Sequence, residues 1–182
     1  TPDLKFSREM FDHHNTERNI FKSIPGLTRD LVIKISNDKN EPEWMLNKRL
    51  NALELFNKTP IPKWGPDLSS LDLSKISYYI KPDAKRSEKW DDVPEDIKKT
   101  FDRLGIPEAE KKYLSGVGAQ YDSEVVYHKL KKEWEEQGVI FEDCDIALQK
   151  YPDLMKKYFM TKCNPLNDHK FIMLHAAVWS GG

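Results

Sequence analysis

The 182-residue sequence has little cysteine and almost no net charge. Its two cysteines, Cys144 and Cys163, are too few for a disulfide framework and favour free thiols in a reducing compartment. The net charge is −1, from 29 basic and 30 acidic residues, so no overall positive field would attract nucleic acid or an anionic membrane. We therefore expect no nucleic acid partner.

Long apolar runs and phosphate-binding loops are also missing from the sequence. The longest apolar runs, such as residues 171–174, are far shorter than the roughly 20 residues that a membrane-spanning helix needs. No charged-then-apolar signal segment opens the chain. The sequence has no GKS or GKT, so we do not expect it to hydrolyse nucleotides. These absences predict a cytoplasmic protein without a membrane partner.

Helix signals are plentiful. Thr28 can cap a helix with Leu31, Val32 and Ile35 inside, and Pro42 opens a second helix that must end before Pro60. The apolar side of this second helix is predicted to consist of Leu46, Leu50, Leu53 and Phe56.

Further helix boundaries are marked by proline, glycine or capping residues. Pro94 begins a helix that ends at Gly105, and Pro107 begins another. Asp143 or Asp145 caps a helix that Pro152 divides. Asn167 and Asp168 can cap the last helix. The inward side of that helix is predicted to be Phe171, Leu174, His175 and Val178.

Strand signals are short. The alternation of Ile76, Tyr78 and Ile80 predicts a brief strand, and residues 139–141 predict a short buried one. Residues 119–128 are ambiguous, since Asp122 or Ser123 could cap a helix, or residues 121–127 could form a β-hairpin edge. We favour extended structure that passes into helix near His128. The sequence thus predicts an α+β fold that is mainly helical with a few short strands.

Two patterns suggest metal or nucleotide chemistry, and both have a structural explanation. Asp12, His13 and His14 spell the DHH of metal-dependent phosphoesterases, but no clustered aspartates follow, so a solvated surface is favoured. Gly116 and Gly118 resemble half of a dinucleotide fingerprint. Because residue 121 is tyrosine where a third glycine is required, we interpret the pair as a turn.

The remaining candidates are isolated side chains. His169 and His175 are six residues apart, which is not the spacing that lets two histidines on a helix share a metal with each other or with Cys163. The acidic neighbours of Cys144 should raise its thiol pKa. Capping explains the adjacent acids at 91–92, and the tryptophans are interpreted as core or docking anchors. These are Trp44, Trp64 and Trp90. We assign no catalytic, cofactor-binding or metal-binding residue.

Long blocks of the sequence resemble the SufB family of iron–sulfur cluster assembly scaffolds, in the order that the family has them. The blocks are GIPEAEKKYLSGVGAQYDSEVVYH (105–128), ISNDKNEPEWMLNKRLNAL (35–53), WGPDLSSLDLSKISYYIKP (64–82), QGVIFEDCDIALQKYPDLMKKYF (137–159) and HKFIMLHAAVWSGG (169–182). Some bacterial members have a cysteine-rich insert after the Tyr-Tyr pair, whereas IKPDAKRSEKW follows Tyr79 here. The chain is therefore similar to the shorter form of the family.

The resemblance implies a helical N-terminal domain at residues 1–170 and, at 171–182, the start of the connection to a β-helix core that is absent from this chain. It implies SufD and the ATPase SufC as partners in a complex, with a cysteine desulfurase as sulfur donor. The family's cluster ligands would lie beyond residue 182. We therefore expect no cofactor in this chain and an iron–sulfur cluster in the full-length protein.

Three functions follow, in decreasing order of support. The first is the N-terminal part of a SufB scaffold, which supports complex assembly and partner docking and has no enzyme activity. The second is a free-standing adaptor module that binds another protein through exposed aromatic residues. The third is a small metal-dependent hydrolase that uses His13 and His14, or the region from Cys163 to His175.

Overall fold

The computed structural model describes residues 18–103, 116–162 and 164–182. Within these ranges the order is β1 (Asn19–Lys22), α1 (Arg29–Asp38), α2 (Glu43–Lys58), β2 (Ile80–Pro82), α3 (Glu95–Arg103), β3 (Gly116–Tyr121), β4 (Glu124–Leu130), α4 (Lys132–Glu135), α5 (Cys144–Lys150), α6 (Pro152–Tyr158) and α7 (Lys170–Val178). The predicted α+β class, dominated by helices, is confirmed. The helix predicted after Pro107 lies outside the described residues.

The first two helices begin where the sequence predicts. Thr28 Oγ1 accepts a hydrogen bond from the Leu31 N–H at 3.2 Å, and α1 buries Leu31, Val32 and Ile35. Pro42 precedes the first residue of α2. These starts were predictable because capping and proline geometry are local properties of the sequence.

The buried side of α2 differs from the prediction. Leu46 and Leu50 are only partly buried, and the buried residues are Met45, Arg49, Ala52, Leu53 and Phe56. The reason is the position of α7, which packs along α2 through fully buried alanines on both helices. Small side chains let the two helices approach closely. A buried arginine therefore lies within the helix interface.

The α7 prediction needs two corrections. His169 caps the helix, since its Nδ1 accepts a hydrogen bond from the Phe171 N–H at 3.3 Å, whereas Asn167 and Asp168 were expected to do so. The buried residues are Met173, Ala176 and Ala177 rather than the predicted inward set of Phe171, Leu174, His175 and Val178. The predicted domain boundary between residues 170 and 171 stays a prediction.

The strand that was predicted from Ile76 begins only at Ile80. A 3-10 turn at Leu73–Lys75 precedes it, and Ser23 then ties the chain to β1 by accepting hydrogen bonds from two successive backbone N–H groups, of Tyr78 at 3.0 Å and Tyr79 at 3.3 Å. Tyr79 is fully buried while Ile76 is 37% exposed. The fully buried residue is thus Tyr79, which lies between the predicted alternating positions Tyr78 and Ile80. β2 pairs antiparallel with β1.

Strands β3 and β4 form an antiparallel hairpin, which was one of the alternatives for this stretch but not the favoured one. The turn lies at Asp122, whose φ is +51°. Gly116 and Gly118 belong to β3, so the prediction of a turn there is wrong. The helix expected near His128 begins only at Lys132, because β4 continues to Leu130. Val126 and Tyr127 pack against Val93 and Ile97 beside α3.

Residues 139–141 do not form the predicted buried strand. Their side chains are 45%, 50% and 40% exposed. The chain turns at Gly138, where φ is +85°, and the Val139 N–H donates to the Trp134 carbonyl at 3.0 Å. The apolar run is therefore a surface loop that lies against α4.

The predicted cap and proline break after this loop are both confirmed. Asp143 Oδ1 accepts the Ile146 N–H at 2.9 Å at the start of α5, and Pro152 begins α6. Among the helices in the described ranges, none is both long enough and apolar enough to cross a membrane.

Candidate functional site at the C-terminal segment

Residues 177–182, here named the C-terminal segment, are held by three separate elements. Arg49 of α2 donates to two of its carbonyls, of Ala177 at 3.1 Å and Trp179 at 3.0 Å. Gln120 of β3 donates to the Ser180 carbonyl at 3.0 Å, and the Cys144 N–H of α5 donates to the Gly182 carbonyl at 2.7 Å. The segment therefore connects the helical core to the hairpin.

The arginine that holds the segment also forms a buried ion pair with Glu41. Arg49 and Glu41 have side chains that are 0% exposed. The guanidinium donates to both carboxylate oxygens, from Nε at 2.7 Å and from Nη2 at 2.5 Å, and lies 4.7 Å from the centre of the Trp179 ring. Because a buried charge is tolerated only when it is paired and hydrogen-bonded, this arrangement fixes the path of the chain past residue 177.

Two glycines set the direction in which the segment ends. Gly181 and Gly182 have φ of +72° and +88°, values that favour glycine. A Cβ on Gly181 would lie 2.8 Å from the side-chain Cδ of Gln120. A side chain at this position would thus strain the backbone and also collide with the residue that holds Ser180.

A cavity of about 300 Å³ lies where the segment meets the hairpin, and Gly182, Phe141 and His128 are among its lining residues. His128 is 6% exposed, and its Nε2 has no hydrogen-bond partner. Its ring stacks on Phe141 with centroids 4.8 Å apart. The cross-strand neighbour is Gly118, whose Cβ position would lie 3.7 Å from His128 Cδ2. His128 therefore lies in the cavity wall with an unpaired Nε2 that is shielded from solvent.

The charges around the cavity are paired with one another. Arg86 contacts Glu142 at 3.2 Å and Asp143 at 3.0 Å, and Lys150 contacts Glu142 at 2.5 Å. Burial lowers the pKa of His128, and the positive charge of Arg86 lowers it further. The imidazole is accordingly neutral near pH 7 and can make one more hydrogen bond at Nε2.

Replacing His128 with glutamine tests this protonation state. Since the folded-state pKa lies below the ordinary value of 6.5, the unfolded chain binds the proton first as the pH falls. Stability present above pH 6.5 should therefore be lost below it, with a slope of at most about 1.4 kcal/mol per pH unit. Urea unfolding at several pH values should show a steeper loss for the parent than for His128→Gln. Parallel curves would contradict the assignment.

A second polar group, here named the Lys39 cluster, joins α1 to β4 and α5. The Lys39 Nζ lies 2.5 Å from Asp145 and 3.3 Å from Glu124, and its side chain is 4% exposed. The Tyr79 hydroxyl donates to Glu124 at 2.9 Å. Burial raises the pKa of Asp145 in spite of the attraction of Lys39. The cluster holds the end of α1 against the hairpin.

The residues that the sequence suggested for metal chemistry are not brought together in the described ranges. Asp12, His13, His14 and Cys163 lie outside those ranges. His169 caps α7, and its ring meets Trp64 edge-on at 5.3 Å. Within residues 18–103, 116–162 and 164–182, no group of three or more His, Cys, Asp or Glu side chains could hold a metal ion.

The other candidates have ordinary structural surroundings. Burial raises the pKa of the Cys144 thiol, and the negative charges of Asp145 and Asp143 add to the effect, which is the predicted direction. The adjacent acids at 91–92 lie in a 3-10 turn ahead of α3. Trp90 packs edge-on against Phe101 and Tyr127.

The other two tryptophans differ from each other. Trp44 is partly buried against the cluster of Met45, Leu148 and Trp179, whereas Trp64 is 66% exposed. Trp44 is therefore a core anchor, as is Trp90, while Trp64 lies at the surface.

Arg49, His128 and Lys39 were not predicted as site residues from the sequence. One signal was available for Arg49, because Met45, Ala52 and Phe56 recur at helical spacing with Arg49 among them. That spacing places its stem on the buried side of α2. The acceptors come from residues 177–179, more than 120 positions away, and no local pattern shows them.

Comparison with known proteins agrees with the family resemblance seen in the sequence. No family model matches the chain. An iron–sulfur cluster assembly SufBD family protein of Staphylococcus aureus (strain USA300) is 56% identical over 172 residues, which cover 94% of this chain and 37% of that protein. A SufBD family protein of Staphylococcus saprophyticus is 55% identical over the same shares. The chain thus spans little more than a third of the relatives' length, and over that span it belongs to the iron–sulfur cluster assembly SufBD family.

Proposed function

We propose that this chain is the N-terminal part of a SufB-type scaffold subunit, in which it supports complex assembly and partner docking and has no enzyme activity. The observation that carries the proposal is the similarity of 94% of the chain to 37% of the SufBD assembly proteins. The resemblance of the ordered blocks to SufB favours that subunit over SufD.

The contacts of the C-terminal segment support a role in complex assembly rather than in chemistry. The C-terminal segment is attached to α2, β3 and α5, so any polypeptide that follows Gly182 leaves from a fixed position. In this proposal the SufC ATPase and SufD are the partners, a cysteine desulfurase supplies sulfur, and the complex is cytoplasmic. The iron–sulfur cluster is cargo that residues of the full-length protein outside this chain hold.

Co-purification tests the proposal. The 182-residue chain, the full-length protein and the full-length protein without residues 1–182 are each expressed with SufC and SufD, and iron and sulfide are assayed. We expect the full-length protein to form the complex and load a cluster, and the 182-residue chain to be free of iron. The shortened protein should give several-fold less complex.

Two results would contradict the proposal. Unchanged complex yield and cluster content without residues 1–182 would remove the supporting role. Stoichiometric iron in the 182-residue chain would show that this part takes part in the chemistry, and Cys144, Cys163 and the five histidines would be substituted next.

A further inference from the structure

Four large apolar side chains are exposed together on the surface, and we name them the apolar loop: Trp134, Val139, Ile140 and Phe141. They are 37%, 45%, 50% and 40% exposed. The hydrogen bond from the Val139 N–H to the Trp134 carbonyl keeps the start of the loop close to α4. A cluster of this kind is typical of a surface that another part of a protein covers.

The apolar loop lies beside the last residue of the chain. Phe141 and Gly182 line the same cavity, and the hydrogen bond between the Cys144 N–H and the Gly182 carbonyl joins the end of the chain to α5, three residues after the loop. The glycine turn at 181–182 fixes the direction of departure. A residue added after Gly182 would therefore start at the mouth of the cavity.

A buried polar atom in the cavity lacks a partner. The Nε2 of His128, a residue with 6% exposure that lines the cavity, has no hydrogen bond and is shielded from solvent. Buried polar groups in native proteins are nearly always paired. The cavity thus has an apolar wall from Phe141, on which the ring of His128 stacks.

We propose that the polypeptide following residue 182 in the longer protein fills this cavity and covers the apolar loop. The apolar side chains of that polypeptide pack on Val139, Ile140 and Phe141. The inference rests on the proposed function, since it requires that this chain precede a larger part. More than half of the length of the relatives lies outside the matched region, which is ample to supply the cover.

Other exposed apolar residues serve as controls. Leu154 and Tyr158 on α6 are 46% and 57% exposed, comparable with the apolar loop. Neither of them lines the cavity beside Gly182. The proposal predicts cover for the apolar loop and none for these two residues.

Hydroxyl-radical footprinting of the full-length protein, purified without partners, is the first test. Compared with the 182-residue chain, oxidation of Trp134 and Phe141 should slow by about tenfold, as expected for local burial. Oxidation of Leu154 and Tyr158 should be unchanged. Equal rates for Phe141 in the two proteins would overturn the proposal. Protection that disappears on dilution would assign the loop to a second copy and would overturn it as well.

A pair of matched variants gives a second test within the full-length protein alone. Ile140→Asp should lower the melting temperature by about 4 °C or more, whereas Leu154→Asp should have little effect. Equal shifts for the two variants would contradict the proposal, and this comparison does not require that the 182-residue chain fold by itself. The proposed function is tested separately, by co-purification with SufC and SufD. A result against the covered apolar loop is therefore distinguishable from a result against the proposed function.

Discussion

Replacing Arg49 with methionine should lower the free energy of unfolding by about 3–5 kcal/mol. The substitution leaves the Glu41 carboxylate fully buried without its ion-pair partner. It also removes the donors to the Ala177 and Trp179 carbonyls. Urea denaturation followed by tryptophan fluorescence measures the loss, because Trp179 itself contacts the guanidinium.

Two further variants separate the buried ion pair from a general effect of losing a charge. Arg29→Met makes the same change at an exposed position of α1 and should stay within about 0.5 kcal/mol of the parent. Arg49→Met combined with Glu41→Leu removes both charges and should recover much of the loss. If the double variant is as unstable as Arg49→Met alone, the unpaired carboxylate is not the cause.

Replacing Lys39 with methionine should cost about 2–4 kcal/mol. Its side chain is almost fully buried, while Asp145 and Glu124 are about one-fifth exposed, so water offsets part of the loss of their partner. Thermal unfolding gives the shift in midpoint. The pKa of Asp145 is already raised by burial, and removal of Lys39 should raise it further. The loss of stability in Lys39→Met relative to the parent should therefore be smaller at acid pH.

The Asp145 carboxylate provides the control for this prediction. Asp145→Asn combined with Lys39→Met should be more stable than Lys39→Met alone, because the unpaired acid is no longer present. Lys75→Met removes an ion pair whose lysine is 82% exposed, and we expect a change close to zero. If Lys75→Met lost as much stability as Lys39→Met, the loss in Lys39→Met could not be assigned to the buried contacts of the Lys39 cluster.

The starts of α1, α5 and α6 were predictable from the sequence because their causes lie within a few residues. Thr28 caps α1, Asp143 caps α5, and Pro152 separates α5 from α6. Each depends on the geometry of one turn. The family resemblance was likewise found in the sequence, because ordered long blocks carry it.

The parts that could not be predicted depend on distant contacts. The buried side of α2 is set by α7, and the phase of residues 76–80 is set by Ser23, which is more than 50 residues earlier. Val139, Ile140 and Phe141 suggest a buried strand by composition alone. Their exposure follows from where the chain turns at Gly138. The candidate site is assembled from α2, the hairpin, α5 and the C-terminal segment, so no single stretch of sequence contains it.

The link between Arg49 and the C-terminal segment has a consequence for synthesis on the ribosome. The acceptors at Ala177 and Trp179 follow Arg49 by 128 and 130 residues. At about 5–20 residues per second, α2 waits on the order of ten seconds for the carbonyls that complete its core. During that interval Ala52 and Leu53 lack the α7 surface that covers them, and Met45 lacks its contacts with Leu148 and Trp179. A chaperone that binds nascent chains would find its target in α2.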